Sequence, residues 1–242
     1  MPDAYLQLMK VVAHRGASGT EPENTLRAVR RAFEVGADWV EVDVRVSRDG
    51  RFVVVHDETV DRTTDGSGRV SEMTFDELRK LDAGMGERIP SLEEVLDEAE
   101  GRGTLVLEVK VPGYEWRLMN LLRSSDAVDR VVVSSFYHKL IRNIKRLDPT
   151  MKAGVIVSSQ PVNPSRVASE ARADMVFMKA RYVEAWVVDD LHEAGIEVYP
   201  WVVDDVSEAG RLVEMGVDGI VTNRPGVIRR FLEAVEYRRR GG

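Results

Sequence analysis

Apolar residues fall along this chain in two alternating rhythms. Short runs rich in Val, Ile and Leu, the mark of buried strands, occupy Lys10–Ala13, Trp39–Val46, Thr104–Val111, Val131–Ser134, Ala153–Val157, Met175–Met178, Glu197–Val202 and Gly219–Thr222. Between them lie stretches with helical spacing, such as Thr25–Val35 and Asp204–Met215. Parallel strands need crossovers of this length, so the alternation predicts eight βα units. Eight units in 242 residues suit a (β/α)8 TIM barrel of about 250 residues, whereas a doubly wound sheet usually closes at about five or six strands. The expected fold is therefore α/β, with one barrel domain over residues 1–242. Gly-Val-Asp-Gly at 216–219 echoes Gly-Ala-Asp-Trp at 36–39, a helix-ending glycine leading into the next strand in both places.

One segment breaks the rhythm. After Val46 come Ser47-Arg48-Asp49-Gly50-Arg51, a second apolar run to His56 and a polar stretch reaching Pro90. Asp-Gly between alternating runs predicts a β-hairpin with a two-residue turn, followed by a small insertion over 57–90 at the barrel mouth. That turn sets Val46 opposite Val53, Val44 opposite Val55 and Asp43 opposite His56. One face is then all valine; the other carries Glu41, Asp43 and Arg45 with Phe52, Val54 and His56. In the insertion, Met73, Phe75, Leu78 and Leu81 recur at helical spacing, either as one packed helix face or as a lipid-facing patch.

Two carboxylates on one strand face, with an imidazole across from them, are poor core material. The strand Thr104–Val111 repeats the pattern, with Glu108 and Lys110 opposite a face of Leu105, Leu107, Val109 and Val111. Glu41, Asp43 and Glu108 on strand ends suit a hard divalent cation, although ion pairing with Lys and Arg around the rim is an equal use for them. His14-Arg15-Gly16 ends the first strand at the C-terminal mouth, where barrel enzymes keep their chemistry. An imidazole beside a permanent guanidinium fits an anionic group such as phosphate. His14 and His56 together, with a cation, suit acid–base cleavage of a phosphodiester. Trp201 ends the seventh unit's strand, where it serves either as core or as a flank for substrate. Pro22-Glu23-Asn24-Thr25 reads as a capped helix start, and His138 and His192 read as surface residues.

Composition narrows the function classes. Lys and Arg total 34 against 41 Asp and Glu, so a net charge of −7 argues against nucleic acid as a partner. There is no Cys, which removes thiolate nucleophiles and zinc–thiolate sites and leaves oxygen or imidazole as metal ligands. Met1–Lys10 has no cationic stretch followed by an apolar core, and the longest apolar runs fall far short of a membrane span. No stable membrane insertion and a cytoplasmic location are expected. Arg238-Arg239-Arg240 reads as a solvated helix end.

The ordered motifs resemble those of the glycerophosphodiester phosphodiesterases. They are His14-Arg15-Gly16, Pro22-Glu23-Asn24-Thr25, Gly36-Ala37-Asp38, Glu41-Val42-Asp43-Val44, Asp49-Gly50, Val55-His56-Asp57, Asp61-Arg62-Thr63-Thr64 with Gly66-Ser67-Gly68, Pro90-Ser91-Leu92, Glu108-Val109-Lys110, Ser135-Phe136, Trp201 and Gly216–Thr222, spread over residues 10–226. The resemblance implies a barrel that binds one divalent cation (Mg2+, Ca2+ or Mn2+) through Glu41, Asp43 and Glu108 and cleaves a small phosphodiester with His14 and His56. Arg15 and Lys110 would grip the phosphate. It leaves open which His is acid and which base, and whether water or the substrate's own glycerol hydroxyl attacks. Two alternatives stand beside it: a lysophospholipase D-like enzyme, and a non-catalytic barrel that binds a phosphate-bearing metabolite. The chain departs from the family where Trp201-Val202-Val203-Asp204 replaces a frequent Trp-Thr-Val-Asn run.

Overall fold

Eight of the nine strands in the computed structural model, which describes residues 9–239, follow the predicted runs. They are β1 Lys10–His14, β2 Trp39–Val46, β4 Thr104–Val109, β5 Val131–Ser135, β6 Lys152–Val157, β7 Met175–Lys179, β8 Glu197–Trp201 and β9 Gly219–Thr222. They pair in parallel in the order β8-β7-β6-β5-β4-β2-β1-β9, with helices between, and the ring closes where Asp218 N–H donates to Val198 O and Val203 N–H to Val221 O. The (β/α)8 arrangement is as expected. The leader reading of Met1–Lys10 rests mainly on residues 1–8, and Arg240 also lies outside the described residues; Arg238 is exposed. Among the described residues no helix is long and apolar enough to cross a membrane.

Period-two alternation decides which side chains point where. Val40, Val42, Val44 and Val46 of β2 join the layer between the sheet and its helices. Inside the barrel Val12, Val106, Val132, Ile156, Met175, Phe177, Tyr199 and Val221 form a second cluster, with Trp39 stacked on Tyr199 at 5.1 Å. This filling packs the middle of the barrel and leaves an opening at each end, the mouth and a cleft at the floor lined by Lys10, Trp39, Thr104, Lys152, Glu197 and Tyr199.

The floor shows why the Gly-x-Asp echo recurs. Gly36, Gly216 and Arg172 each take a left-handed conformation after a helix, and two residues later comes Asp38, Asp218 or Asp174. Each Asp carboxylate accepts from a backbone N–H of the neighbouring strand: Val11 at 2.7 Å, Val198 at 2.7 Å and Ala153 at 2.9 Å. Each Asp N–H donates back to the carbonyl of the same residue. The third instance is hidden in the sequence because Arg172 stands where the other two have Gly.

The hairpin forms, but its register differs by one residue from the expectation. β3, Phe52–Val54, pairs Val46 with Phe52, Arg45 with Val53 and Val44 with Val54, and Val55 N–H donates to Asp43 O. Ser47 N–H donates to Arg51 O, so the loop is the three residues Arg48-Asp49-Gly50, closed by Gly50 at φ +80. Asp49 fixes this longer turn by accepting from Ser47 Oγ at 2.6 Å and from the distant Phe75 N–H at 3.0 Å. His56 is therefore not opposite Asp43, and neither face is all valine. Val53 and Val55 instead face Val60, Val70, Phe75, Leu78 and Ile89 of the insertion. Met73 and Leu81 pack on the same cluster, which makes the four spaced residues a packed face rather than a lipid-facing patch.

Candidate active site

The register of β1, β2 and β4 brings the charged residues together at the C-terminal mouth. His14 lies beside Glu41, and Asp43 beside Glu108, on adjacent strands. Each of Glu41, Asp43 and Glu108 is buried, and one carboxylate oxygen from each lies within 4.8 Å of the other two. Two cations flank them: Lys110 Nζ lies 2.9 Å from Asp43 Oδ1 and pairs with Glu108, and Arg15 Nε lies 3.2 Å from Asp43 Oδ2. The Arg15 N–H donates to Glu41 Oε2 at 2.9 Å, and Asn24 Nδ2 donates to Asp43 Oδ2 at 2.8 Å.

Three buried carboxylates against two cations leave the cluster short of positive charge. Burial, then the Asp43 and Glu108 carboxylates, push the Glu41 carboxyl well above its usual range. Burial and Asp43 likewise raise Glu108. At Asp43 burial is outweighed by Lys110 and Arg15, which hold its carboxyl low. Glu41 Oε1 is buried without any hydrogen-bond partner. An orphaned carboxylate oxygen in an all-oxygen cluster fits a hard divalent cation, and these three residues could hold one.

Tight turns hold the first strand's end against this cluster. A Cβ on Gly16 would sit 2.5 Å from the Ala28 carbonyl carbon, so only glycine, at φ +77, lets the turn reach the helix Leu26–Glu34. Thr25 caps that helix by accepting from Ala28 N–H at 3.2 Å, as expected for the Pro22–Thr25 motif.

The two imidazoles sit in different surroundings. His14 Nδ1 lies 2.7 Å from Asn223 Oδ1, and burial, then Arg15, depress its pKa to about 4. His56 Nδ1 lies 2.5 Å from Asp57 Oδ1. Burial lowers His56 too, against opposition from the Asp43 and Asp57 carboxylates. Asp57 is gripped by Arg62, which also binds Glu23, and Glu23 binds Arg15 at 2.9 Å. This chain of ion pairs links the supports of His56 to the guanidinium beside His14.

His14, Arg15, Glu41, His56, Glu108, Lys110 and Trp201 line one open cleft of about 580 Å³, and Asp43 lies buried at its base. The rest of the lining is mostly apolar, formed by Val106, Phe136, Ile156, Phe177 and Val221. Trp201 donates Nε1–H to Phe177 O at 3.0 Å and meets Phe136 edge-on at 5.9 Å, so it is both half-buried core and cleft wall. A cleft that combines titratable groups with aromatics is an ordinary small-molecule site.

Residues 14–227, which hold every one of these groups, match the glycerophosphoryl diester phosphodiesterase family. The chain belongs to this family. It is 37% identical over 228 residues to a glycerophosphodiester phosphodiesterase of Caldanaerobacter subterraneus, covering 89% of this chain and 94% of the relative. A phosphodiesterase of Oleispira antarctica, solved with the product sn-glycerol-3-phosphate, superposes with a TM-score of 0.85 at 30% identity, covering 95% and 99% of the two chains. A glycerophosphodiester phosphodiesterase of Agrobacterium tumefaciens does so with a TM-score of 0.81 at 29% identity, over 91% and 98%.

The eight residues singled out from sequence thus meet in one place. His138 and His192 do not join them, and neither is free on the surface: half-buried, they bond to Ile156 O at 3.0 Å and Asp218 Oδ2 at 2.9 Å. Sequence reasoning missed Asn223 and Asp204, which stand behind His14, and the support that Asp57 and Arg62 give His56. The signal for Asn223 was its place just past the last strand, which in a closed barrel abuts the first.

Proposed function

We propose that this chain hydrolyses small glycerophosphodiesters to glycerol phosphate and an alcohol, using one divalent cation held by Glu41, Asp43 and Glu108. The observation that carries this reading is that two imidazoles and a buried, charge-deficient carboxylate cluster face one cleft. A binding protein has no need of such a pair. The product bound in the Oleispira antarctica relative supports a substrate of this size. When bound, the cation supplies electrostatic stabilisation for charge gathering on the phosphoryl oxygens; the all-oxygen donors favour Mg2+, Ca2+ or Mn2+.

The chain's own residues account for the rest. Arg15 and Lys110 at the cleft edge receive the anionic phosphate. His14 and His56 move protons, one from the attacking oxygen and one to the leaving alcohol. Trp201 and Phe136 flank the organic part of the substrate and exclude water from one side. The insertion over 57–90 belongs to this same functional domain, because its Asp57 and Arg62 support His56.

Release of glycerol phosphate from glycerophosphocholine, with and without chelator, tests the reading. EDTA should abolish turnover, and Mg2+, Ca2+ and Mn2+ should restore it to different extents. Full turnover in verified metal-free protein would overturn the cation, and no product from any glycerophosphodiester would overturn the activity.

A further inference from the structure

Asp204 lies behind the cleft, and its carboxylate accepts three hydrogen bonds: from Thr222 Oγ1 at 2.9 Å, the Asn223 N–H at 2.8 Å and Asn223 Nδ2 at 2.7 Å. An ionised carboxylate can only accept. The amide NH2 of Asn223 must therefore face Asp204, and its carbonyl Oδ1 must face away. There Oδ1 meets His14 Nδ1 at 2.7 Å and Ser18 Oγ at 2.9 Å. An amide oxygen also only accepts, so the proton of a neutral His14 sits on Nδ1. Nε2 is left as a bare lone pair, makes no hydrogen bond among the described residues, and belongs to a ring that lines the cleft.

We propose that Asp204 and Asn223 are positioning residues that lock His14 in its Nδ1–H tautomer and so keep its Nε2 free to accept a proton in the cleft. The proposal rests on the phosphodiesterase reading. His56 is supported differently, since its Nδ1 faces the Asp57 carboxylate at 2.5 Å. Both neutral rings therefore carry their proton on Nδ1; the carboxylate also opposes the loss of charge that burial imposes on His56, which the neutral amide at His14 does not. In the reaction the attacking oxygen, whether of water or of the substrate's glycerol hydroxyl, gives its proton to His14 Nε2 as it bonds to phosphorus. The P–O bond to the alcohol breaks, and that oxygen takes the proton from His56 Nε2. A cyclic phosphate formed by the glycerol hydroxyl is then opened by water to glycerol phosphate. Asp204 matters because it stands where the resembling family frequently has Asn. Two facing amides can swap donor and acceptor, whereas a carboxylate permits one arrangement only.

The test reads the tautomer directly. Long-range 1H–15N correlation on the full chain with 15N-labelled His, four residues in all, should show His14 protonated at Nδ1, with its signals assigned through His14→Gln. Asp204→Ala should give a mixture of tautomers and lower kcat about tenfold, the low end of what supports behind a site contribute, with KM within about twofold. Asp204→Asn, whose carbonyl can still accept from Asn223 Nδ2 but whose amide can also swap roles with it, should fall between wild type and Asp204→Ala in both tautomer and kcat. A wild-type His14 protonated at Nε2 would overturn the lock even if every variant misfolded. A folded Asp204→Ala protein with unchanged tautomer and kcat would overturn it too. Nδ1–H in a protein that hydrolyses no glycerophosphodiester would keep the lock and sink the activity.

Discussion

The two ends of the barrel use acidic residues in opposite ways. At the floor Asp38, Asp174 and Asp218 each sit just before a strand, bind a backbone N–H of the adjacent preceding strand and have basic partners of their own: Arg229 for Asp38, Lys145 and Lys152 for Asp174, and His192 for Asp218. At the mouth Glu41, Asp43 and Glu108 crowd together, share two cations and leave Glu41 Oε1 without a partner. The same kind of residue at opposite ends of the strands therefore has different meanings. Carboxylates whose acceptors are all used serve the fold, while carboxylates left repelling one another are held there by the rest of the structure and could take up a cation.

Replacing an imidazole at the mouth should show the largest effect of this difference. His14→Ala and His56→Ala should each lower kcat by about 10² or more, the range that positioned acids and bases supply. Tm should stay close to wild type, because each ring is only half-buried. Near-wild-type turnover in either variant would remove that ring from proton transfer.

Why these rings were legible in the sequence, and their supports were not, follows from contact range. Glu41 and Asp43 stand out because period-two alternation leaves them on the face opposite Val40, Val42 and Val44, and this is visible within one strand. The hairpin register failed because Asp-Gly serves both a two-residue turn and a three-residue loop ending on a left-handed glycine. What separates the two is Asp49 reaching Phe75, 26 residues on. Asn223 is 209 residues from His14, and only closure of the barrel joins them.

Substrate size gives a smaller effect and sharpens the account of the mouth. The insertion spends its apolar residues on its own core, with Phe75 and Leu78 buried under Val53 and Val55. The apolar surface left near the cleft is mainly aromatic, with Phe136 45% and Tyr137 51% exposed, which suits a head group better than an acyl chain. Glycerophosphocholine and glycerophosphoethanolamine should have a kcat/KM at least equal to that of lysophosphatidylcholine below its micelle concentration. Each buried methylene contributes about 0.8 kcal/mol, so an acyl groove would make the lysolipid better by at least about tenfold. That result would promote lysophospholipids to the preferred substrates.

The smallest effect on catalysis is expected at the floor, where stability carries the signal. Asp218→Ala leaves the N–H of fully buried Val198 without an acceptor and His192 without its partner. The unpaired group should cost about 1–3 kcal/mol in urea unfolding, while kcat/KM stays within about twofold. Glu41→Gln is the opposite case. A carboxyl raised above its ordinary 4.5 in the fold costs stability as pH climbs past that value, because the unfolded chain loses the proton first. In metal-free protein at pH 7, Glu41→Gln should therefore be at least as stable as wild type, yet it should lose the rise in Tm that a divalent cation gives the wild type. If Asp218→Ala lost activity in step with stability, or Glu41→Gln unfolded more readily without metal, the division between a satisfied floor and a strained mouth would fail. The opposite signs follow from the surroundings, since Asp218 has partners that its loss strands and Glu41 has neighbours that its charge repels.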